Sequence, residues 1–239
     1  MATDLAISTA VHQGVCGCGG RSLGLSRRGV LAATGATLLS AALWRPVRAQ
    51  TAITPDAALA RLMGANKRYT SGKLNSRSED FAAERKESAG GQHPFATVLS
   101  CADSRVPVEL IFDVAIGQIF TCRVAGNICT PEIVASIEFG VEEARTPLVM
   151  VLGHQSCGAV TAAIEGKTAP GEIDALFLPL RAAIEKAGPD VDAAVKANAL
   201  IQANLLRTGS PLIADAETQG KVKVVAGYYS LVDGTVTLL

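Results

Sequence analysis

Pro147-Leu-Val-Met-Val-Leu152 runs without a polar residue into Gly153-His154-Gln-Ser-Cys157-Gly158. A short, almost uninterrupted apolar run bounded by turn residues matches a strand covered on both faces, the way strands of a parallel sheet are buried. Outward from it, Phe95-Ala-Thr-Val-Leu-Ser100 and Gln118-Ile-Phe-Thr-Cys-Arg-Val124 read as two more strands. Between Val124 and Pro147, Thr130-Pro131-Glu132 opens a helix with Thr as N-cap and Pro at the first helical position, and Ile133, Val134, Ile137, Val141 and Ala144 form its apolar stripe. Thr54-Pro55 repeats that start signal, followed by Leu59, Leu62, Met63 and Tyr69 at helical spacing. A second helix is expected after Ser78, through Phe81 and Ala82 to about Ala89, with further helical segments near 158–165, 173–187 and 190–207. Lys221-Val-Lys-Val-Val-Ala226 and Thr235-Val-Thr-Leu238 close the chain as strands, read as a hairpin across Asp233-Gly234. Strands alternating with helices predict an α/β fold: a central, mostly parallel β-sheet of four to five strands flanked by helices, with an N-terminal helical extension.

The charge balance is even, 22 Lys+Arg against 22 Asp+Glu in 239 residues, and 49% of residues are hydrophobic. Such a chain buries a sizeable core and is neither a disordered tail nor a basic nucleic-acid-binding surface. Neutrality, however, conceals a division. Ser26-Arg27-Arg28-Gly29-Val30-Leu31 sets paired arginines before an uncharged stretch, Gly29 to Leu43, followed by Trp44-Arg45-Pro46-Val47-Arg48-Ala49. This is the layout of an export signal: basic region, apolar region, and small residues at the −3 and −1 positions, Val47 and Ala49. The apolar stretch of 15 residues falls short of the roughly 20 that span a bilayer, so no stable membrane insertion is expected. Twin arginines, modest hydrophobicity and Arg45 after the apolar region point to the twin-arginine translocase and a periplasmic destination. The expected organisation is therefore a removed leader, 1–49, and one domain, 50–239. Cutting after Ala49 removes five arginines and only Asp4, leaving 17 basic and 21 acidic residues. Cys101, Cys122, Cys129 and Cys157, with His93 and His154, remain in the mature segment.

In open α/β sheets, sites form beyond the carboxyl ends of the strands. The first strand run ends in Cys101-Ala-Asp103-Ser-Arg105 and the third in Gly153-His154-Gln-Ser-Cys157. If neighbouring parallel strands carry them, Cys101, His154 and Cys157 converge. Two thiolates and an imidazole favour zinc over hard cations, which prefer oxygen. Structural zinc is normally closed by four protein ligands and catalytic zinc keeps one position for water, so the ligand count separates the two roles. The candidate fourth ligand is Asp103, and Arg105 competes for its carboxylate as a bidentate partner. While Arg105 holds Asp103, the metal is free to bind water. Zinc lowers the pKa of that water toward about 7, and the resulting hydroxide is the expected nucleophile.

Cys101-Ala-Asp-Ser-Arg-Val106 and Gly153-His-Gln-Ser-Cys-Gly158, with Arg123-Val-Ala-Gly-Asn127 and Ser136-Ile-Glu-Phe139 between them, resemble the β-class carbonic anhydrases. The resemblance is strong from about Pro94 to Glu165 and looser over the rest of the mature chain. It implies zinc ligation by Cys101, His154 and Cys157, a gating pair of Asp103 and Arg105, and reversible hydration of carbon dioxide to bicarbonate and a proton. It also implies pocket roles for Gln92, Phe120 and the backbone N–H of Gly158. As partners it implies a homodimer or a dimer of dimers, with sites at the subunit interface and the Pro55–Tyr69 helix reaching over a partner. Three departures stand out: Phe139 where many members have Tyr, Val124 in place of a common Asn, and no Trp between the leader and Cys101 for the inhibitory bicarbonate pocket of one bacterial subgroup. Carbonyl sulfide or carbon disulfide hydrolysis on the same site is the alternative activity, and a non-catalytic zinc-binding module the alternative role.

Overall fold

A computed structural model describes residues 53–75, 80–166 and 168–239. The export signal expected at 1–49 lies outside these residues, as does Ser78.

Five strands form one sheet: β1 (Ala96–Ser100), β2 (Ile119–Arg123), β3 (Leu148–His154), β4 (Lys223–Tyr229) and β5 (Val236–Leu238), in the order β2-β1-β3-β4-β5. The first four are parallel and β5 is antiparallel to β4, so the expected fold class is the observed one. Every residue of β1 and of β3 is buried. Alternation along the strands sends side chains to two separate cores. Val98, Leu148, Met150 and Leu152 pack on one face with Ala58, Leu62 and Ala65 of helix α1 (Pro55–Thr70). Leu99, Val149 and Val151 pack on the other with Ile137 and Val141 of helix α4 (Pro131–Glu142) and with Ala199, Ala203 and Leu206 of helix α7 (Val191–Gly209). Helix α1 thus buries its apolar stripe on its own chain's sheet. Fully buried Asn66 pins it there, donating to the carbonyls of Ile111 and Gly234 and accepting from the Val236 N–H.

The remaining helices are α2 (Phe81–Ser88), α3 (Val108–Ile111), α5 (Gly158–Glu165), α6 (Arg181–Ala187) and α8 (Pro211–Thr218). Helix α2 starts from Asp80, whose carboxylate accepts from the amides of Ala82 and Ala83. The segment expected to be helical over 173–187 is broken into 3₁₀ turns at Ile173–Leu176 and Leu178–Leu180 before α6 begins; Pro179 has no N–H to continue an α-helical ladder. Helix α8 was not anticipated, although Ser210-Pro211 repeats the start signal of α1 and α4 and the Ser210 hydroxyl accepts from the Ile213 N–H at 3.2 Å. The β4–β5 connection is not a two-residue turn. It spans 230–235, where the Asp233 carboxylate accepts from both the amide and the hydroxyl of Thr235 and Gly234 takes φ 75°. No helix of the described residues is long and apolar enough to cross a membrane.

Candidate metal centre

Strands β1 and β3 are adjacent, with Ser100 in register with Leu152. Cys101 follows the last residue of β1, and β3 extends two residues beyond its apolar run so that His154 is its final residue. Ser156 turns the chain with φ 52°, a left-handed conformation uncommon outside glycine, and its N–H is held by the Asp192 carboxylate of α7 at 3.1 Å. The turn brings Cys157, the residue preceding α5, back over the sheet edge. The result is one ligand atom each from Cys101, His154 and Cys157, all within 4.8 Å of one another and all buried.

The donor set fits a soft or borderline divalent metal. His154 is fully buried and its Nδ1–H donates to the Gln155 carbonyl at 2.9 Å, which leaves the Nε2 lone pair directed into the cluster. That Nε2 is buried without a hydrogen-bond partner among the described residues, a costly state unless a ligand completes it. Fixing one ring nitrogen on a carbonyl is the usual way a metal-binding imidazole is oriented. Cys101 Sγ lies 3.9 Å from Cys157 Sγ and accepts from the amides of Asp103 and Gly126, each at 3.4 Å. The hydrogen bond from Cys157 is the main cause that brings the Cys101 thiol down to about 4. Cys157 is pushed up, first by that shared proton and then by burial, with the Ala159 and Val160 amides partly offsetting both. Cys122 and Cys129 are pushed up by burial, to about 11 and about 12, and pack as small apolar residues.

Asp103 stands beside this cluster. Its Oδ2 lies 3.9 Å from His154 Nε2. Arg105 holds the carboxylate with both ends of its fork and also donates its backbone N–H to Oδ1 at 2.9 Å. These hydrogen bonds keep the Asp103 carboxyl well below the usual carboxylate range. Three further hydrogen bonds shape the loop. Arg105 reaches the Ser156 carbonyl at 3.4 Å, and Arg123 of β2 donates to the carbonyls of Cys101 at 3.0 Å and Asp103 at 2.6 Å. Sequence reading had Arg123 in a motif without assigning it this task.

Gln92, Phe120 and Gly158 are placed differently. Gly158 is the first residue of α5, adjoining Cys157. Phe120 is in register with Thr97, three residues and so roughly 10 Å back from the carboxyl end of β2, and its ring stacks on Phe139 with centroids 6.1 Å apart. Gln92 is exposed in the loop before β1, at the opposite end of that strand from Cys101. The chain's own fold does not bring Gln92 or Phe120 to the three ligands.

The sequence model of the carbonic anhydrase family matches residues 96–236. Carbonic anhydrase 2 of Mycobacterium tuberculosis is 33% identical over 198 residues, covering 77% of this chain and 92% of that protein. A carbonic anhydrase of Mycolicibacterium smegmatis is 33% identical with 77% of this chain and 93% of the relative covered. Among solved structures, a β-carbonic anhydrase of Aspergillus fumigatus superposes with a TM-score of 0.58 at 27% identity, over 68% of this chain and 87% of that one. One of two tetrameric β-carbonic anhydrases of Sordaria macrospora superposes with a TM-score of 0.61 at 23% identity, over 76% and 96%.

Proposed function

From the premise that the chain belongs to the β-class carbonic anhydrase family, we propose that it is a zinc enzyme catalysing the reversible hydration of carbon dioxide to bicarbonate and a proton. The observation that carries this reading is the buried Cys101, His154 and Cys157 set with His154 Nε2 unpartnered. Three protein ligands are the number that leaves zinc a reactive position; a closed structural site normally takes four. Zinc bound there would supply Lewis acidity, lowering the pKa of a water toward about 7.

The protein's own groups do the rest. Arg105 occupies both oxygens of Asp103 and so keeps the carboxylate from becoming a fourth ligand. Held this way, Asp103 remains an anionic hydrogen-bond acceptor 3.9 Å from His154 Nε2, suited to orienting a hydroxyl on the reacting side. Release of Asp103 by Arg105 would close the site. The Gly158 N–H, next to Cys157, is assigned to an oxygen of bicarbonate.

Gln92 and Phe120 can line this pocket only if a second copy brings them. We therefore assign them to the site of a neighbouring subunit in a homodimer or dimer of dimers. Support comes from β2, an edge strand of the sheet, and from Phe139, which stacks on Phe120 yet is 53% exposed.

Stopped-flow assay of the zinc-loaded mature chain with carbon dioxide, carbonyl sulfide and carbon disulfide tests the reaction. Rapid carbon dioxide hydration is expected. Sulfide release without it would assign the site to the sulfur substrates, and no turnover of any of the three would leave a non-catalytic zinc module. The precursor is proposed to reach the periplasm through the twin-arginine translocase. Arg27→Lys with Arg28→Lys should hold it in the cytoplasm on fractionation, and periplasmic arrival of that variant would refute the route.

A further inference from the structure

Helix α7 carries two amide side chains on a face that is otherwise apolar. Asn198 and Gln202 are both fully buried, and neighbouring residues of the helix, Ala194, Val195, Ala199 and Ala203, belong to the hydrophobic cores. A buried amide costs stability unless its polar atoms are paired, and an aliphatic residue carries no such cost. Here the pairing is specific. Asn198 Nδ2 donates to the Gly126 carbonyl at 2.9 Å, and its Oδ1 accepts from Gln202 Nε2 at 3.0 Å. Gln202 Oε1 in turn accepts the Cys129 N–H at 2.9 Å. One turn of α7 therefore grips the 126–129 segment at both ends.

That segment presents the Gly126 N–H to Cys101 Sγ at 3.4 Å. Gly126 needs its φ of 77°, and a Cβ there would meet Leu180 at 3.4 Å and Ala159 at 3.5 Å. Of the two amides on this sulfur, that of Asp103 is supplied by the next turn of the same loop, whereas that of Gly126 arrives from 25 residues away. An N–H donated to a thiolate stabilises its charge and fixes the direction of the sulfur lone pairs, and such outer contacts govern how firmly a metal is held.

We propose that Asn198 is a positioning residue for Cys101: by holding the Gly126 carbonyl it aims the Gly126 N–H at the sulfur and so sets metal retention. The proposal rests on the reading of Cys101 as a metal ligand. It requires Asn198 to act through Gly126 and not by touching the metal or the substrate.

The test uses the full mature chain loaded with cadmium-113 and, separately, with zinc. In the cadmium protein, a scalar coupling across the hydrogen bond should link the Gly126 amide proton to the metal through Cys101 Sγ. Asn198→Asp keeps the size but replaces the donor, and Asn198→Ser shortens it out of reach. Each should abolish the coupling, shift the cadmium resonance and speed zinc transfer to a chelator by about tenfold or more. Folded variants with wild-type cadmium shift and wild-type zinc release overturn the proposal, as does a wild-type protein lacking the coupling. Loss of folding in both variants would assign Asn198 to the scaffold and overturn the positioning role. A wild-type chain that takes up no metal would bring down the zinc reading and this inference together; metal-loaded protein with indifferent variants brings down this inference alone.

Discussion

Arg105 grips Asp103 by both carboxylate oxygens, Nε to Oδ1 at 3.0 Å and Nη2 to Oδ2 at 2.7 Å, on the rim of the buried cluster formed by Cys101, His154 and Cys157. The guanidinium is half exposed while the carboxylate is largely covered, so the pair derives its value from geometry more than from raw ion-pair energy. Removing the fork frees a carboxylate whose nearest alternative partner is the open side of the cluster. Arg105→Ala should retain one zinc per chain and lose carbon dioxide hydration by about 100-fold or more. Arg105→Lys should lie closer to the alanine variant than to wild type, since a single ammonium cannot occupy both oxygens. Stopped-flow rates with metal analysis check both, and a zinc-replete, fully active Arg105→Ala would refute the gating role.

The two sulfurs predict a pH signature in metal-free protein. Cys101 is lowered from its ordinary 9.0 to about 4, chiefly by the hydrogen bond from Cys157. A group depressed by folding adds stability above its unfolded value and loses that contribution as pH falls through its folded value. The stability advantage of wild type over Cys101→Ser, both stripped of metal, should therefore grow as pH rises from about 4 toward about 9. Above that range Cys157 works in the opposite sense, because its raised pKa favours the unfolded chain once ordinary thiols ionise. Thermal denaturation across the range checks this; a difference that does not change with pH would mean that no thiolate is shared between the pair.

How far the residues announced all this depends on whether a role is carried by side-chain chemistry or by backbone placement. β3 was legible because burial on both faces leaves no polar residue from Leu148 to Leu152, and β1 because its short β-rich run is bounded by turn residues even though Thr97 and Ser100 are polar. Cys101, His154 and Cys157 were legible because soft donors directly after such strands have few other uses. Gly126 was not, because its contribution is an N–H that any residue type would own, and its glycine identity answers to φ and to Leu180. Asn198 and Gln202 sit inside a helical stripe, where sequence alone reads them as the polar face; only the fold reveals that they point inward. Helix α8 could have been found, since Ser210-Pro211 repeats the signal used for α1 and α4. The distance of Gln92 from the three ligands was legible too, since Gln92 precedes β1 and Cys101 follows it; that of Phe120 came only with the register that sets it beside Thr97.

Gly153 offers a test of how tightly α7 is seated beside the cluster. A Cβ on it would lie 2.7 Å from Val195 Cγ1 and 3.2 Å from the Val195 carbonyl oxygen, so the helix must retreat from β3 next to His154. Gly153→Ala should cost about 1–3 kcal/mol, the usual range for overpacking. Because the side-chain clash is with Val195, adding Val195→Ala should return part of that loss, a non-additivity expected only for residues in contact. Denaturant unfolding of the two single variants and the double variant measures it, and strict additivity would show that the close approach relaxes by another route.

The edge of the sheet carries the remaining prediction. β2 has β1 on one side and, among the described residues, no strand on the other. Nearby, Phe139 is 53% exposed, with Leu110 at 53% and Ile116 at 43%. Large apolar side chains exposed in this number beside an open strand edge are expected to be covered by another protein surface. If that surface is a second copy, it also supplies the route by which Phe120, stacked on Phe139, reaches a cluster its own chain does not bring it to. Phe139→Asp places a charge on that face without touching any ligand of the cluster. The variant should sediment as a monomer, keep its zinc, and lose turnover, because each site would lack the residues contributed by its neighbour. A monomer with undiminished activity would show that the site is complete within one chain, and an intact oligomer would move the interface to another face.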